Sequence, residues 1–580
     1  MNAKVYRRVA TALAAGAVMV GMAAQAQAAS RSLAGAYLAA RQASQRNDMA
    51  AAADYWTQAL ALNPSSHQLR GQALNFKVLV GDFKTAAVLA SALVNGQPGH
   101  RLAHLTLAAD AFTSRAYDTA LDRIETAPEG AFPPLLASLL SGWAHAGLGE
   151  AEAAKAAFMS GAGEGVAMYD LFGGYHWGLA QMAMGDPEAA AETFRETAEA
   201  VGGAGARMTR AHGLALEAAG RREAALELWR GALASGQADA LIEHELDRME
   251  RGETGAIPVA DARDGAAEGM FSIAGALSQD QTGAAALLYS QFALFLRPDM
   301  HEARLLAAEL LADQGQAKGA ADNFAKIPLG SPFHVSAEIG RAEALRKLER
   351  TDEAIIALKA LAEIAPESRQ AHIALGDLLR REERFAEAAD AYTDAIDLMG
   401  EPDPRHWALY YQRGISNERS GAWEQAEKDF LTALDLQPGQ PLALNYLGYS
   451  WVEQRRNLDE ALDMIERAVA QRPQDGYITD SLGWVLYRMD RHEEAVPHLE
   501  RAVELTPVDP VINDHLGDAL WMVGRKREAR FQWRRALSFE PEQEEADRIR
   551  RKLAKGLDAV LRDEAAEATA DGGDAAQNDG

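Results

Sequence analysis

The segment NDHLGDALWMVGRKREARFQWRRALSFEP, residues 513–541, contains the pattern that the rest of the chain repeats. Ala529, Trp533 and Ala536 are spaced by four and three residues, which places them on one face of a helix. Gly524 lies five residues before Ala529, where a helix can end in a left-handed residue. Pro541 lies twelve residues after Ala529, where it ends the second helix, the one that contains Ala529. The segment therefore predicts two consecutive helices joined by a tight turn.

The alanine of this pattern recurs along almost the whole chain with a period close to 34 residues, at Ala52, Ala86, Ala120, Ala154, Ala190, Ala225, Ala286, Ala320, Ala354, Ala388, Ala426, Ala461, Ala495 and Ala529. In most repeats a large side chain follows four residues later, at Trp56, Phe158, Phe194, Trp229, Phe324, Tyr392, Phe430, Leu499 and Trp533. A fixed period of this size is typical of a helix pair that stacks on its neighbours.

With Leu516-Gly517, Leu520, Ala529, Trp533 and Pro541 in place, the sequence resembles the tetratricopeptide-repeat family. The resemblance extends from about residue 33 to residue 541, and the best matches lie after residue 414. It implies an all-α fold, a right-handed superhelical solenoid of about fourteen helix pairs.

The amino terminus has the pattern of an export signal. Lys4, Arg7 and Arg8 precede an apolar run over residues 9–24, and Ala26-Gln27-Ala28 is a small-residue cleavage site. The run is shorter than the ~20 apolar residues of a spanning helix. The sequence therefore predicts a signal peptide over residues 1–28, cleaved near Ala28, and a periplasmic protein. The chain contains no cysteine, so it has no disulfide and no thiol for a lipid anchor.

The repeat is interrupted once, by the 61 residues between Ala225 and Ala286. We interpret residues 239–269 as a linker or irregular unit between an N-terminal degenerate array at 29–238 and a C-terminal array at 270–541. The alternative is one distorted unit inside a continuous superhelix. Residues 542–562 are expected to form a capping helix. Residues 563–580, rich in Ala, Asp, Glu and Gly, are predicted to be a disordered acidic tail.

The formal net charge of −26 makes nucleic acid and anionic lipid poor partners. No segment after the signal is long and apolar enough to span a membrane. Lysines and arginines of residues 525–555 alternate with glutamates, which favours a solvated cap at the end of the stack over a docking patch.

The sequence contains no motif for catalysis. It has no HExxH zinc motif, no P-loop and no G-x-S-x-G elbow, and its 14 histidines are scattered. We therefore predict no catalytic residues, no cofactor, no metal site and no enzyme activity.

In the family, the first helix of each pair lines the concave face. The resemblance therefore assigns partner binding to inward positions of the last four repeats, at Tyr411, Asn445, Tyr449, Asp480, Trp484, Tyr487, Asp514, Asp518 and Trp521. Aromatic residues are frequent binding hot spots. The family's lysine- and arginine-based carboxylate clamp is not matched, because aspartates occupy these positions. The alternative role of the aromatic residues is packing between helices.

The first functional hypothesis is a periplasmic scaffold or adaptor that holds proteins or peptides on the concave surface. The C-terminal repeats also resemble periplasmic adaptors of carboxyl-terminal processing proteases. That resemblance implies a periplasmic serine protease and cell-wall hydrolases as partners, although the lipid-attachment cysteine of such adaptors is absent. The second hypothesis is a structural component of an envelope assembly for polysaccharide export, pilus biogenesis or cell division.

Overall fold

A computed structural model describes residues 32–128, 130–160, 167–203, 205–236, 239–279 and 282–575. The predicted signal peptide lies outside these residues. The described residues form α-helices and one short 3-10 helix, joined by turns. The chain divides into two compact units, Met1–Ile364 and Ala365–Gly580.

In the first unit the described helices are α1–α19, at Leu33–Gln45, Met49–Leu62, His67–Leu79, Phe83–Gly96, Arg101–Thr113, Tyr117–Glu125, Pro134–Leu148, Ala151–Phe158, Ala167–Ala183, Pro187–Val201, Ala206–Ala218, Arg222–Ala234, Ala240–Glu250, Ala262–Gln279, Gly283–Leu296, His301–Asp313, Ala317–Phe324, His334–Lys347 and Thr351–Ile364. In the second unit they are α20–α31, at Arg369–Arg381, Phe385–Asp397, Trp407–Arg419, Trp423–Leu436, Pro441–Glu453, Leu458–Gln471, Gly476–Arg488, His492–Leu505, Pro510–Met522, Lys526–Ser538, Gln543–Lys555 and Leu557–Ala575, with the 3-10 helix at Pro404–His406.

The predicted fold class is confirmed, because consecutive helices pack as pairs in register with the sequence pattern. All fourteen periodic alanines have a relative exposure of 0%. In many repeats the large residue four positions after the alanine packs against a glycine of the preceding helix, as Phe158, Phe194, Trp229, Tyr392, Phe430, Leu499 and Trp533 do. A Cβ atom on Gly517, for example, would lie 2.4 Å from the Trp533 ring. These pairs therefore close by inserting one large side chain where the partner helix has none.

The predicted turn after each first helix is also confirmed. Gly524 has φ +83° and Gly421 has φ +85°, both in the left-handed region that glycine adopts without steric cost. Where a repeat lacks this glycine, Glu383 takes the same conformation with φ +58°. The turn is therefore a requirement of the helix pair, and glycine is its least strained solution.

The pair α14–α15 does not simply continue the first array. Helix α14 packs on α5, α7 and α9, and α15 packs on α3 and α5. These are first helices of successive pairs, so the chain has turned back and lies along the face that they build, which we call the first-helix face. The Phe295 ring stacks on Phe83 at 4.1 Å between centroids, and Gly265 lies against the Trp143 indole.

Residues 239–269 therefore lie within the first unit, and the boundary between the units falls later, at Ile364. Residues 251–261 are the connection that allows the reversal. Three long-range bonds hold this connection: Arg297 Nη1 donates to the Pro258 carbonyl at 2.9 Å, the Gly255 amide donates to Glu217 at 3.3 Å, and Arg115 donates to Asp261 at 2.7 Å. The interruption in the repeat is therefore the place where the chain turns back, so that the following helices pack on the first-helix face.

This arrangement predicts the result of limited proteolysis. Trypsin is expected to cleave after Arg251, whose side chain is exposed and paired with the neighbouring Glu253. Because α14–α15 covers the first-helix face, the two fragments should co-elute in gel filtration under native conditions and separate only in denaturant. Independent elution of the two fragments would instead indicate a hinge between two separate arrays.

The carboxyl end differs from the expected single cap. The predicted capping helix 542–562 is divided into α30 and α31 by Gly556, which has φ +84°. Residues 563–575, for which disorder was expected, continue α31. Glu564 of this helix accepts hydrogen bonds from Arg548 at 3.0 Å and Arg551 at 3.2 Å. These ion pairs, together with the helix propensity of alanine, give a physical reason for the extension.

Within the described ranges, no helix combines the length and the apolar character needed to cross a bilayer.

Candidate functional site

The first helices of the second unit border a groove of about 530 Å³, which we call the second-unit groove. Helices α22, α24 and α26 and the start of α28 contribute its walls. Its lining residues are Glu418, Arg419, Asn445, Tyr446, Tyr449, Ser450, Glu453, Gln454, Tyr477, Asp480, Ser481, Asp509, Val511 and Ile512. Of the nine predicted partner-binding residues, the groove brings together Asn445, Tyr449 and Asp480.

A row of equivalent positions runs along these helices, three residues before the packing glycine of each. It consists of Tyr411, Asn445, Asp480 and Asp514. The middle two line the groove. The Tyr411 ring packs at one end against Phe430 and Tyr446, each 6.1 Å away between centroids. Asp514 lies at the other end, under α30. The repeat therefore places one residue on each step of the groove floor.

Three buried oxygens of the floor lack hydrogen-bond partners among the described residues: Asn445 Oδ1 and Asp480 Oδ1 in the groove, and Asp514 Oδ1 under α30. Asp480 is only 5% exposed. Its other oxygen, Oδ2, lies 2.9 Å from Nδ1 of His515. Burial alone would lower the pKa of His515, but the Asp480 carboxylate outweighs burial and holds this pKa above 6.5. Asp480 thus has one oxygen, Oδ2, bonded to His515, while its other oxygen, Oδ1, has no hydrogen-bond partner among the described residues.

The walls of the groove combine carboxylates with tyrosines. Tyr446 donates its hydroxyl hydrogen bond to Glu418 at 3.1 Å. Glu453 accepts from the Trp484 indole at 2.6 Å. The Tyr449 hydroxyl is protonated at neutral pH and can donate a hydrogen bond, and burial raises its pKa further above the ordinary value. Such a surface can hold a polypeptide by hydrogen bonds and by contact with aromatic faces.

Trp484 and Tyr487, two of the predicted partner-binding residues, are both buried. Their rings stack at 4.7 Å, and Trp484 also stacks on His515 at 3.8 Å between centroids. The repeat positions that direct these side chains inward also place them next to α28, the first helix of the following pair, which covers them. Their contacts in the free chain are with neighbouring helices, as in the packing alternative.

Asp514, Asp518 and Trp521 are covered by the C-terminal helices. Lys552 of α30 donates to Asp514 at 2.6 Å and to Asp518 at 2.7 Å. The Trp521 indole donates to Asp558 of α31 at 3.1 Å. Lys552 has 0% exposure, so the expectation of a fully solvated cap is wrong at this residue. At its α28 end the row of floor positions is covered by α30, because Lys552 supplies a cation to Asp514.

Sequence reasoning missed several lining residues. Glu418 lies four residues after Gly414, and Tyr487 and Trp521 were predicted because they lie four residues after their own glycines. The same rule could therefore have indicated Glu418. Glu453 and Asp509 lie outside the inward positions of the repeat. Asp509 stands before α28 and caps it by accepting from the Ile512 amide at 3.0 Å. Only the packing of adjacent helices brings these two carboxylates to the groove.

The first-helix face of the first unit is not an equivalent site, because α14–α15 fills it. Glu268 of α14 accepts from Tyr175 at 2.9 Å and pairs with Arg207. His176 accepts from the Trp143 indole at 3.0 Å and contacts Ser272 at 3.2 Å. Burial lowers the pKa of His176 to about 4, so it is neutral at pH 7. This polar network fastens the chain to itself.

A search of the described residues for three or more His, Cys, Asp or Glu side chains that could hold a metal ion finds no such group.

Comparison with known proteins identifies the repeats. Residues 339–404, 411–476 and 453–510 match the family model of the tetratricopeptide repeat. Proteins with this repeat generally mediate protein–protein interactions and are generally non-catalytic. A TPR repeat-containing protein of Pseudomonas aeruginosa is 28% identical over 183 residues, which are 31% of this chain. The chain covers 30% of the length of that relative.

Solved structures with similar helix arrangements have low identity. The APC/C hetero-tetramer Cut9-Hcn1 is 14% identical with a TM-score of 0.36, covering 90% of this chain and 96% of the other. A tetratricopeptide repeat protein from Parabacteroides merdae is 16% identical with a TM-score of 0.36, covering 44% of this chain and 97% of the other. YrrB, described as a TPR protein with an unusual peptide-binding site, is 23% identical with a TM-score of 0.26, covering 31% and 90%.

Proposed function

We propose that this chain, which contains tetratricopeptide repeats between residues 339 and 510, is a scaffold that binds a segment of another protein in the second-unit groove. One observation carries the proposal. The groove is lined by four successive first helices and contains two buried oxygens, on Asn445 and Asp480, without partners among the described residues. Buried acceptors of this kind are satisfied in most proteins, so a ligand that donates hydrogen bonds would complete them.

The composition of the groove lining favours a polypeptide segment as the ligand. Tyrosines, carboxylates and amides line the groove along four successive first helices. An extended peptide supplies backbone N–H donors at regular intervals and side chains on alternate sides. Tyr449 and Tyr477 offer ring faces for these side chains, while Asn445 offers an acceptor to the backbone.

The cellular setting belongs to the same proposal. The basic, apolar and small-residue pattern of residues 1–28 supports export, and therefore a periplasmic partner. The similarity of the C-terminal repeats to adaptors of carboxyl-terminal processing proteases supports delivery of cell-wall hydrolases to such a protease. In that role the groove would hold one of the two proteins.

The proposal is tested by replacing side chains that line the groove, with circular dichroism to confirm that the variant folds. Proteins crosslinked to the chain in the periplasmic fraction are identified, purified and titrated against it. The Asn445→Ala/Tyr449→Ala variant is expected to bind about tenfold more weakly or worse, because it removes a hydrogen-bonding side chain and an aromatic contact.

Phe531→Ala is the matched control for this titration. Phe531 is an equally bulky aromatic side chain, exposed on α29, the second helix of its pair, and it does not line the groove. It should leave the affinity unchanged. Equal binding by the groove variant and the wild type would contradict the proposal.

A further inference from the structure

We propose that the second-unit groove selects partner segments that carry a lysine or arginine, whose cationic group pairs with Asp480. This inference rests on the proposed function and names the ligand chemistry of the same site. Its basis is the juxtaposition of a buried, half-paired carboxylate with an internal example of a lysine bound at the equivalent position.

The first observation is the state of Asp480. One carboxylate oxygen accepts from His515, and the other is buried in the groove without a partner among the described residues. A buried carboxylate oxygen without a donor is costly, and a charged donor forms the strongest hydrogen bond to it. The amide groups of a peptide backbone are weaker donors than an ammonium or guanidinium group. A basic side chain therefore gains most from reaching this oxygen.

The second observation comes from the chain itself. Asp514 stands at the same repeat position as Asp480, one first helix further along. Its carboxylate binds the ammonium of Lys552 at 2.6 Å, and the same nitrogen lies 2.7 Å from Asp518 and 5.9 Å from the centre of the Trp533 ring. Helix α30 thus places a lysine on the row of floor positions. Asp480 offers the same acceptor where none of the described helices covers the groove.

The charges around the groove support a cation. Its lining contains four carboxylates, on Glu418, Glu453, Asp480 and Asp509, and one arginine, Arg419. The Arg419 guanidinium lies over the Phe385 ring at 4.8 Å. Two basic groups lie outside the lining: Arg488 is 3.5 Å from Glu453, and His515, whose pKa Asp480 raises, is 2.9 Å from Asp480. The remaining potential favours a positive ligand and disfavours a terminal carboxylate.

The ring faces explain how the stem of such a side chain is accommodated. Tyr446, Tyr449 and Tyr477 line the same groove. Long basic side chains bury their methylene groups against apolar and aromatic surface while the charged end finds a polar partner. A lysine or arginine can use both features of the groove, because its methylene groups pack on the aromatic walls while its charged end reaches the acidic floor.

The experiment uses the purified full chain and a library of random 12-residue peptides displayed on phage. Peptides selected on the wild type are expected to share a lysine or arginine at one position. A synthetic peptide from this set is then titrated by fluorescence anisotropy, beside a peptide in which norleucine replaces that lysine. Norleucine keeps the stem and removes the charge, so the affinity should fall about tenfold.

Two variants of the chain locate the contact. Asp480→Asn should bind the lysine peptide about tenfold more weakly and should show little difference between lysine and norleucine. Asn445→Asp places a second carboxylate at the equivalent position in the neighbouring repeat, and should tighten binding of the lysine peptide several-fold. If circular dichroism shows that Asp480→Asn does not fold, the Asn445→Asp result decides, and an unchanged affinity overturns the inference.

The outcomes separate the inference from the proposed function. Selected peptides that lose affinity in Asn445→Ala/Tyr449→Ala but carry no preferred basic residue overturn the ligand chemistry and leave the groove as a binding site. If no peptide is selected, or if the selected peptides bind the double variant as well as the wild type, both the inference and the proposed function are contradicted. A shared basic residue whose contribution is unchanged in Asp480→Asn places the cation elsewhere and overturns the inference.

Discussion

Replacing Lys552 with alanine is expected to lower the free energy of unfolding of the second unit by about 3–5 kcal/mol. Lys552 is fully buried and bonds Asp514 and Asp518, and Asp518 also accepts from the Trp533 indole at 2.9 Å. Removal of the ammonium leaves two carboxylates with Arg548 still near them, its Nη1 3.7 Å from Asp518 and 4.0 Å from Asp514. Because these contacts are longer than those of Lys552, the charge of the buried Asp518 is compensated only in part, and this cost exceeds the packing lost with the lysine stem.

The measurement is urea unfolding followed by circular dichroism, with tryptophan fluorescence to follow the surroundings of Trp533. Lys555→Ala is the control, since Lys555 pairs with Asp563 at the surface and should contribute little. Burial already raises the pKa of Asp518, and loss of Lys552 should raise it further. The difference from wild type should therefore shrink as the pH is lowered and Asp518 takes up a proton.

A double variant tests the mechanism of this loss. The Asp518→Asn change keeps an acceptor for the indole and removes the charge, so combining it with Lys552→Met should recover part of the stability lost in Lys552→Ala. An effect of Lys552→Ala no larger than that of Lys555→Ala would show that the buried ion cluster does not hold the C-terminal helices in place.

The second large effect is expected at Glu268, which fastens α14 to the first array. Glu268→Ala should destabilise the first unit by about 3 kcal/mol, because the buried Tyr175 hydroxyl and Arg207 lose their shared acceptor. Arg207 is 33% exposed, so water can reach its guanidinium in the variant. The expected loss of stability is therefore at the lower end of the range for breaking a buried ion pair. Glu253→Ala, at an exposed pair in the same segment, is the control.

The pH dependence gives a second measurement of the same contact. Burial alone would raise the pKa of Glu268, but Arg207, Arg297 and His176 outweigh burial and lower it to about 2. Because this is below the ordinary value of 4.5, the stabilisation is present above pH 4.5 and is lost as the pH falls toward 2. Glu268→Ala should lack this part of the acid profile. An acid profile identical to that of the wild type would show that the carboxylate is not held by these cations.

The helix pairs could be read from the sequence because their determinants are local. Ala426 and Phe430 lie one turn apart on a single helix, and Gly414, against which Phe430 packs, lies only 16 residues before it. The left-handed glycine turn is equally local. Each repeat carries all of these signals, so an error in one unit leaves the register of the next intact.

The candidate site could be predicted only in part. Inward positions of the repeat indicated Asn445, Tyr449 and Asp480, and these three residues line the groove. The same rule indicated Trp484, which the neighbouring helix covers. Repeat positions specify the direction of a side chain, whereas its exposure depends on which helix comes next.

The sequence by itself therefore determined the helical repeat, its boundaries and the row of residues on the first helices. The tertiary structure alone decided which parts of that row remain open. Helices α14–α15 pack on the first-helix face of the first unit, and α30 covers Asp514, whose Oδ2 binds Lys552, while Asp480 lines the groove. The physical reason is that these closures are contacts between segments distant in the chain, made where the backbone reverses, and no local pattern records where a reversed chain will lie.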